Sequence, residues 1–450
     1  MRKRIYILLF AVSMSLIYSC EEMIKIPEPS TEVTANRIFS DSTLALQATL
    51  NLYASLGTFE TNFISRVALY TGEVTSTSTS SLYADFINNN LQTDNSYVLN
   101  VWRALYNVIY QANAALEGLS TASAFSDQLR NRLIGESRFI RAYCYFYLVN
   151  IFGDVPLILD TSVDQTAIAP REKSGTIYTQ ITDDLEQAIE LLSVYPDEEK
   201  TRADKMAANA LLSRVFLYLE DWEQALFYAT EVINSEYLDE LPPLEDVFIK
   251  NGDEAILQLW RESGYSHLSA MVPPSSESSV PTILLPPQFI DSFDEGDMRK
   301  NLWTGTRAID ENIYAYPAKY KLRGTTTGNS AEYTMLLRLA EQYLIRAEAN
   351  IRLNNYDAAT GDLNVIRNRA GLPDIVLTGD QLQGMNQVAI ERERELFTEN
   401  GLHFFDLKRW QTINEVMPKR KPNWQEFMAL YPIPRTERDK NPLLTQNFGY

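Results

Sequence analysis

The sequence predicts a mainly α fold, in which a scaffold of paired helices carries one irregular, loop-rich lobe. Three observations predict it. Apolar residues recur at helical spacing through much of the 450-residue chain, as in Trp102, Leu105, Tyr106, Ile109 and Ala112. Residues 211–233 and 345–367 resemble each other at an offset of 134, aligning Leu219 with Leu353, Trp222 with Tyr356, Ala225 with Ala359 and Val232 with Ile366. Residues 236–331 hold eight of the nineteen prolines, a density that long helices do not tolerate.

Taken in order, Arg2, Lys3 and Arg4 precede an apolar run from Ile5 to Ile17, the pattern of a secretory signal. The run falls short of the ~20 residues a membrane-spanning helix needs. The segment I-Y-S-C that follows resembles a bacterial lipobox, so cleavage is expected before Cys20, with lipid on its sulfur and its amine. At ~0.8 kcal/mol per buried CH₂, several acyl chains anchor a protein to a membrane. Residues 20–40 are polar, carry Pro27 and Pro29, and read as a tether. A helix capped by Asp41 or Ser42 then carries Leu44, Leu46, Leu50, Leu52 and Tyr53. Polar loops are expected at 71–81 and 88–90. After the Trp102 helix, another runs over about 129–149 and ends at Gly153-Asp154 ahead of Pro156. Further helices are expected at 176–193, 204–219, 221–235, 333–353, 355–370 and 386–398. The proline-rich segment allows short strands such as Ala255–Trp260. From Pro418 onward the chain is proline-punctuated again, with Trp424, Phe427 and Tyr431 as anchors.

The two similar stretches each read as helix, tight turn, helix, the turns being Glu220-Asp221 and Asn354-Asn355. Ser213 and Ala347, twelve residues before Ala225 and Ala359, are small enough to let paired helices approach closely. This is a tetratricopeptide-like pattern, whose period is ~34 residues. Two such pairs cannot bury their faces alone, so about four are expected, with divergent pairs near 42–119 and 130–194. The expected organisation is a signal peptide (1–19), helix pairs over about 42–235 and 333–371, an irregular lobe over about 236–331, and a C-terminal helix and packing tail over 386–450.

The formal charge is −19, and loss of Arg2, Lys3 and Arg4 on cleavage takes it to about −22. Such a polyanion is a poor partner for nucleic acid. With Cys20 lipidated, Cys144 is the one remaining thiol, so no intramolecular disulfide can form and a hydrophobic core must hold the fold. His267 and His403 are the only imidazoles, which excludes a Cys/His zinc site. Neither lies in a nucleophile-elbow motif, and no phosphate-binding glycine loop occurs. A glycoside hydrolase built on two carboxylates is the enzyme alternative, though nothing in the sequence singles out a pair.

Four segments carry a family resemblance. Residues 136–157 read E-S-R-F-I-R-A-Y-C-Y-F-Y-L-V-N-I-F-G-D-V-P-L, and 338–349 read R-L-A-E-Q-Y-L-I-R-A-E-A. Residues 391–410 contain E-R-E-R-E-L-F, Gly401 and F-F-D-L-K-R-W. The terminus holds Y-P-I-P-R-T-E from Tyr431 and N-P-L-L-T-Q-N-F-G-Y from Asn441, with Phe448 where proline is common. In this order they resemble the SusD/RagB family of outer-membrane nutrient-binding lipoproteins. The resemblance implies four tetratricopeptide-like pairs with a less regular lobe packed on them. It further implies a lipid-anchored position on the outer membrane, facing the cell exterior. The implied partner is a SusC-like TonB-dependent transporter and the implied ligand an oligosaccharide, bound without catalysis and without a cofactor. A peptide-binding member of the same family, and a helical-repeat scaffold that binds only proteins, remain open as alternatives.

The motifs themselves read as structural. Glu391 with Arg394, and Arg392 with Glu395, stand at i, i+3 and are expected to pair on a helix surface. Asp406, Arg409 and Trp410 are expected to lock the C-terminal region to the scaffold, with His403 packed or solvated among them. Sugar recognition needs flat aromatic faces flanked by amides and carboxylates. The candidate ligand contacts are therefore Tyr83 and Asn89 in the 82–100 stretch, and Trp260, Tyr265, Trp303, Tyr314 and Tyr316 in the lobe. Trp102 and Trp222 belong to helix faces and are core candidates.

Overall fold

Four helical hairpins follow one another along the chain. A computed structural model describes residues 35–450 apart from 123–124, 195–198, 239, 267, 269–270, 272 and 277. The expected signal segment and Cys20 lie outside the described residues, as does His267. The hairpins are α1 (Ser42–Thr71) with α2 (Ser96–Ser120), α3 (Asp127–Phe152) with α4 (Ser174–Leu191), α5 (Lys205–Tyr218) with α6 (Trp222–Ile233), and α7 (Leu339–Arg352) with α8 (Tyr356–Arg369). Each helix packs on the next, and α6 packs on α7 although about 105 residues separate them in sequence. The lobe is thus an insertion between two consecutive repeats. None of the described helices is long and apolar enough to cross a membrane.

Local chemistry sets the helix ends. Asp41 accepts from the backbone N–H of Thr43 and Leu44, Asn95 from Tyr97 and Val98, and Asp204 from Ala207, caps worth about 1 kcal/mol each. Gly153 ends α3 at φ 76°, where the chain turns before Val155. The offset of 134 has a backbone counterpart: Glu220 and Asn354 both sit in left-handed turns, at φ 59° and 64°. Ser213, Ala225, Ala347 and Ala359 are all fully buried at the hairpin contacts.

Among the described residues, three short antiparallel pairs accompany the helices: β1 (Thr75–Ser76) with β3 (Ile283–Leu284), β2 (Ala255–Leu259) with β6 (Thr334–Arg338), and β4 (Thr304–Ile309) with β5 (Asn312–Pro317). β6 corrects one expectation. The helix read from 333 begins only at Leu339, because Thr334–Arg338 is a five-residue run buried at every position that pairs with β2. A continuous buried run lacks the alternation that marks a strand in sequence.

The motif charges also differ from expectation. On α9 (Gln381–Leu396), Glu391, Arg392, Arg394 and Glu395 are all buried. They pair with other elements instead of with each other. Arg299 bonds Asp297 at 2.8 Å and Glu391 at 2.9 Å, Arg367 bonds Glu391 at 2.8 Å, and Arg369 bridges Glu254 and Glu395. Arg338 joins Glu254, Glu395 and Glu399. The lobe, the fourth hairpin and α9 therefore meet at one buried ionic network. As expected, Arg409 and Trp410 lock onto α7, both bonding Glu348, while Arg392 holds Asp406 at 2.7 Å. His403 is buried against Arg420, Nε2 lying 2.7 Å from Nη1. The closing motif returns to the end of α3: Asn447 donates to the carbonyls of Phe152 at 2.9 Å and Tyr431 at 2.7 Å.

Candidate functional site

A cavity of about 460 Å³ opens where α1, the loop before α5 and the lobe meet. Gln47, Leu50, Asn51 and Ala54, at i, i+3, i+4 and i+7, form the solvent-facing stripe of α1 along one wall. Glu199, Thr201 and Arg202 form the second wall, held to the lobe by a 2.6 Å hydrogen bond from the Gln258 N–H to the Lys200 carbonyl. Trp260 closes the third side immediately after β2, with 47% of its surface exposed. Tyr53 lies fixed beneath, donating to Glu136 at 2.9 Å and accepting from the Ala203 N–H at 2.8 Å. Burial, and then the Glu136 carboxylate, push the Tyr53 hydroxyl well above the ordinary phenol range, so it stays neutral.

The charges at the rim are already satisfied. Arg202 forks onto Glu136, which Arg132 also meets at 3.0 Å, and Glu199 pairs with Lys250. Asn51 donates to Gln111 at 2.9 Å, and Gln47 lines the same wall, exposed to solvent. The arrangement offers a flat apolar ring beside amides that both donate and accept. It suits an uncharged, hydroxyl-rich ligand. Among the described residues, no three His, Cys, Asp or Glu side chains are grouped to hold a metal ion.

The other candidate contacts do not converge here. Trp303 is 1% exposed, and its indole donates to the Leu244 carbonyl at 2.9 Å; it is a core residue with no face for a ligand. Tyr316 is buried with its ring over Gly305 in the β4–β5 hairpin, where a side chain would collide with it. Tyr314 is half-buried on the same strand, opposite Arg307. Asn89 is buried, donating to the Tyr70 carbonyl at 2.9 Å, beside a separate cavity lined also by Asn88, Asn90, Asn423 and Gln425. Tyr83 is half-buried against the main core, and Tyr265 is half-buried in the loop after Trp260. Proline-rich sequence marked the lobe but not which rings it swallows. The missed residues Gln47, Leu50, Asn51 and Ala54 had a visible signal, an α1 stripe in which amides interrupt the apolar positions.

Two family models match: one described as starch-binding and associating with the outer membrane, over residues 32–217, and one for the SusD family, over residues 300–427. The chain belongs to the SusD/RagB family. It is 26% identical over 426 residues to the SusD-like protein P25 of Formosa agariphila, covering 78% of this chain and 80% of that one. It is 27% identical to the starch-binding protein SusD of Bacteroides thetaiotaomicron, covering 74% of each. A SusD superfamily protein of Bacteroides vulgatus superposes with a TM-score of 0.81 at 21% identity, over 91% of this chain and 99% of that one. A laminarin-binding SusD-like protein gives 0.77 at 24% identity, over 91% and 99%.

Proposed function

We propose that the protein is a cell-surface glycan-binding lipoprotein that takes up a neutral oligosaccharide at the Trp260 cavity. It is held in the outer membrane through lipid on Cys20, faces the cell exterior, and passes its ligand to a SusC-like TonB-dependent transporter. The observation that carries the reading is the half-exposed Trp260 ring beside a cavity whose walls carry amides and paired charges. Relatives named for starch and laminarin binding support the ligand class. The cavity lining contains one carboxylate, Glu199, engaged by Lys250, whereas glycoside hydrolysis calls for two about 5–10 Å apart. The reading is therefore capture without bond cleavage.

Calorimetric titration of soluble protein lacking residues 1–20 tests it, with maltoheptaose and laminarihexaose as probes. The expected result is binding of at least one, weakened by roughly 1–3 kcal/mol in Trp260→Ala, about 5–150-fold. Binding of neither, or equal affinity in the variant, would sink the assignment of ligand or of site. Co-purification of the full chain with a large β-barrel from outer membranes tests the transporter step.

A further inference from the structure

The ring that faces the cavity is followed at once by Arg261, whose guanidinium lies on α1. Its Nη2 donates to the Gly57 carbonyl at 3.1 Å and to Thr61 Oγ1 at 3.4 Å. These bonds join the Trp260 loop to the helix that forms the opposite wall. Gly57 occupies the middle of the 30-residue helix α1, where glycine is ordinarily unfavourable relative to alanine. The contact explains the residue. A Cβ on Gly57 would lie 2.6 Å from Nη2 and 2.7 Å from Cζ of Arg261, inside the guanidinium.

We propose that Gly57 and Arg261 form a latch that fixes the Trp260 ring at the mouth of the cavity, making both of them positioning residues for the ligand. This rests on the reading that Trp260 takes the ligand. The clash at Gly57 falls on the far end of a flexible side chain, which can swing out, and not on backbone. Gly57→Ala should therefore unlatch the loop without unfolding the helix, since alanine is the better helix former.

The first readout needs no ligand. The emission of Trp260 is isolated as the difference between each chain and the same chain carrying Trp260→Phe. In Gly57→Ala and in Arg261→Ala, acrylamide quenching of that component should rise at least twofold, with the urea midpoint of Gly57→Ala unchanged or higher. Unchanged quenching would overturn the latch. The second readout is affinity for the probe the parent chain binds, maltoheptaose or laminarihexaose. Each single variant should lose about tenfold, and Gly57→Ala/Arg261→Ala should lose no more than either alone, because both remove one contact. Losses that multiply in the double variant would also overturn it. If the parent chain binds neither probe, or Trp260→Ala binds normally, the glycan site fails while the quenching result still decides the latch.

Discussion

Arg338→Ala should be the most damaging single substitution in this chain, costing roughly 3–5 kcal/mol, because it strands several buried carboxylates at once. Arg338 is 2% exposed at the junction of β6 and α7. Its Nε meets Glu399 at 2.7 Å, Nη1 meets Glu395 at 2.8 Å and also Glu254, and Nη2 donates to the Glu395 carbonyl at 2.7 Å. Pairing of Ala255 with Arg338 in the β2–β6 register places Glu254 there. Burial raises the carboxyls of Glu395 and Glu399, but the cations around them outweigh it, holding Glu395 well below the usual carboxylate range and lowering Glu399. Without Arg338, Glu254, Glu395 and Glu399 are left to Arg369, Arg299 and Lys319, of which Arg299 also serves Asp297 and Glu391 and Lys319 also donates to the Glu395 and Phe397 carbonyls. A loss of that size is a large share of the 5–15 kcal/mol that stabilises a typical domain. Arg338→Lys keeps the charge but not the planar fork and should fall between the two. Urea midpoints of the three proteins measure the effect, and an alanine variant within 1 kcal/mol of the parent would show the network to be dispensable.

That network also marks the limit of what could be read in advance. Helix spacing was legible because one face of each helix repeats at 3.6 residues, and the Glu220 and Asn354 turns fell at the same offset as the apolar matches. Charges at i, i+3 in residues 391–395 looked like surface pairs because spacing along a helix does not say which face is covered. Their partners lie on other elements: Arg299 is 96 residues from Glu395, and Arg338 is 57 from it. The site was legible in composition only. Of the lobe aromatics, Trp303 and Tyr316 serve the core and Trp260 remains open, a division set by long-range packing. Gly57 and Arg261, 204 residues apart, carry no joint sequence signal.

The inner face of α1 carries one more buried carboxyl, and it should make stability fall as pH rises toward neutrality. Glu60 is 1% exposed and faces Tyr143, Tyr147 and Cys144 of α3, Arg214 of α5 and Arg261 of the lobe. Burial raises its carboxyl to about 7, a shift that the hydrogen bond from Tyr143 and the two arginines only partly oppose. The folded state therefore binds a proton that the unfolded state has released, between pH about 4.5 and about 7. Stability falls through that window, and the full cost, on the order of 3 kcal/mol, stands above it. Glu60→Gln retains an oxygen to accept from Tyr143 and removes the titration. The variant should gain on the parent by about 3 kcal/mol between pH 4.5 and pH 8, read as the difference in urea-derived stabilities. Taking the difference cancels Lys408 and Lys421, whose amines burial depresses to about 7 and about 8 and which act in the opposite sense as pH rises. Parallel pH profiles for the two proteins would mean that Glu60 is ionised throughout. The charge would then be held by Arg261, and the latch on Gly57 would have an electrostatic partner at its base.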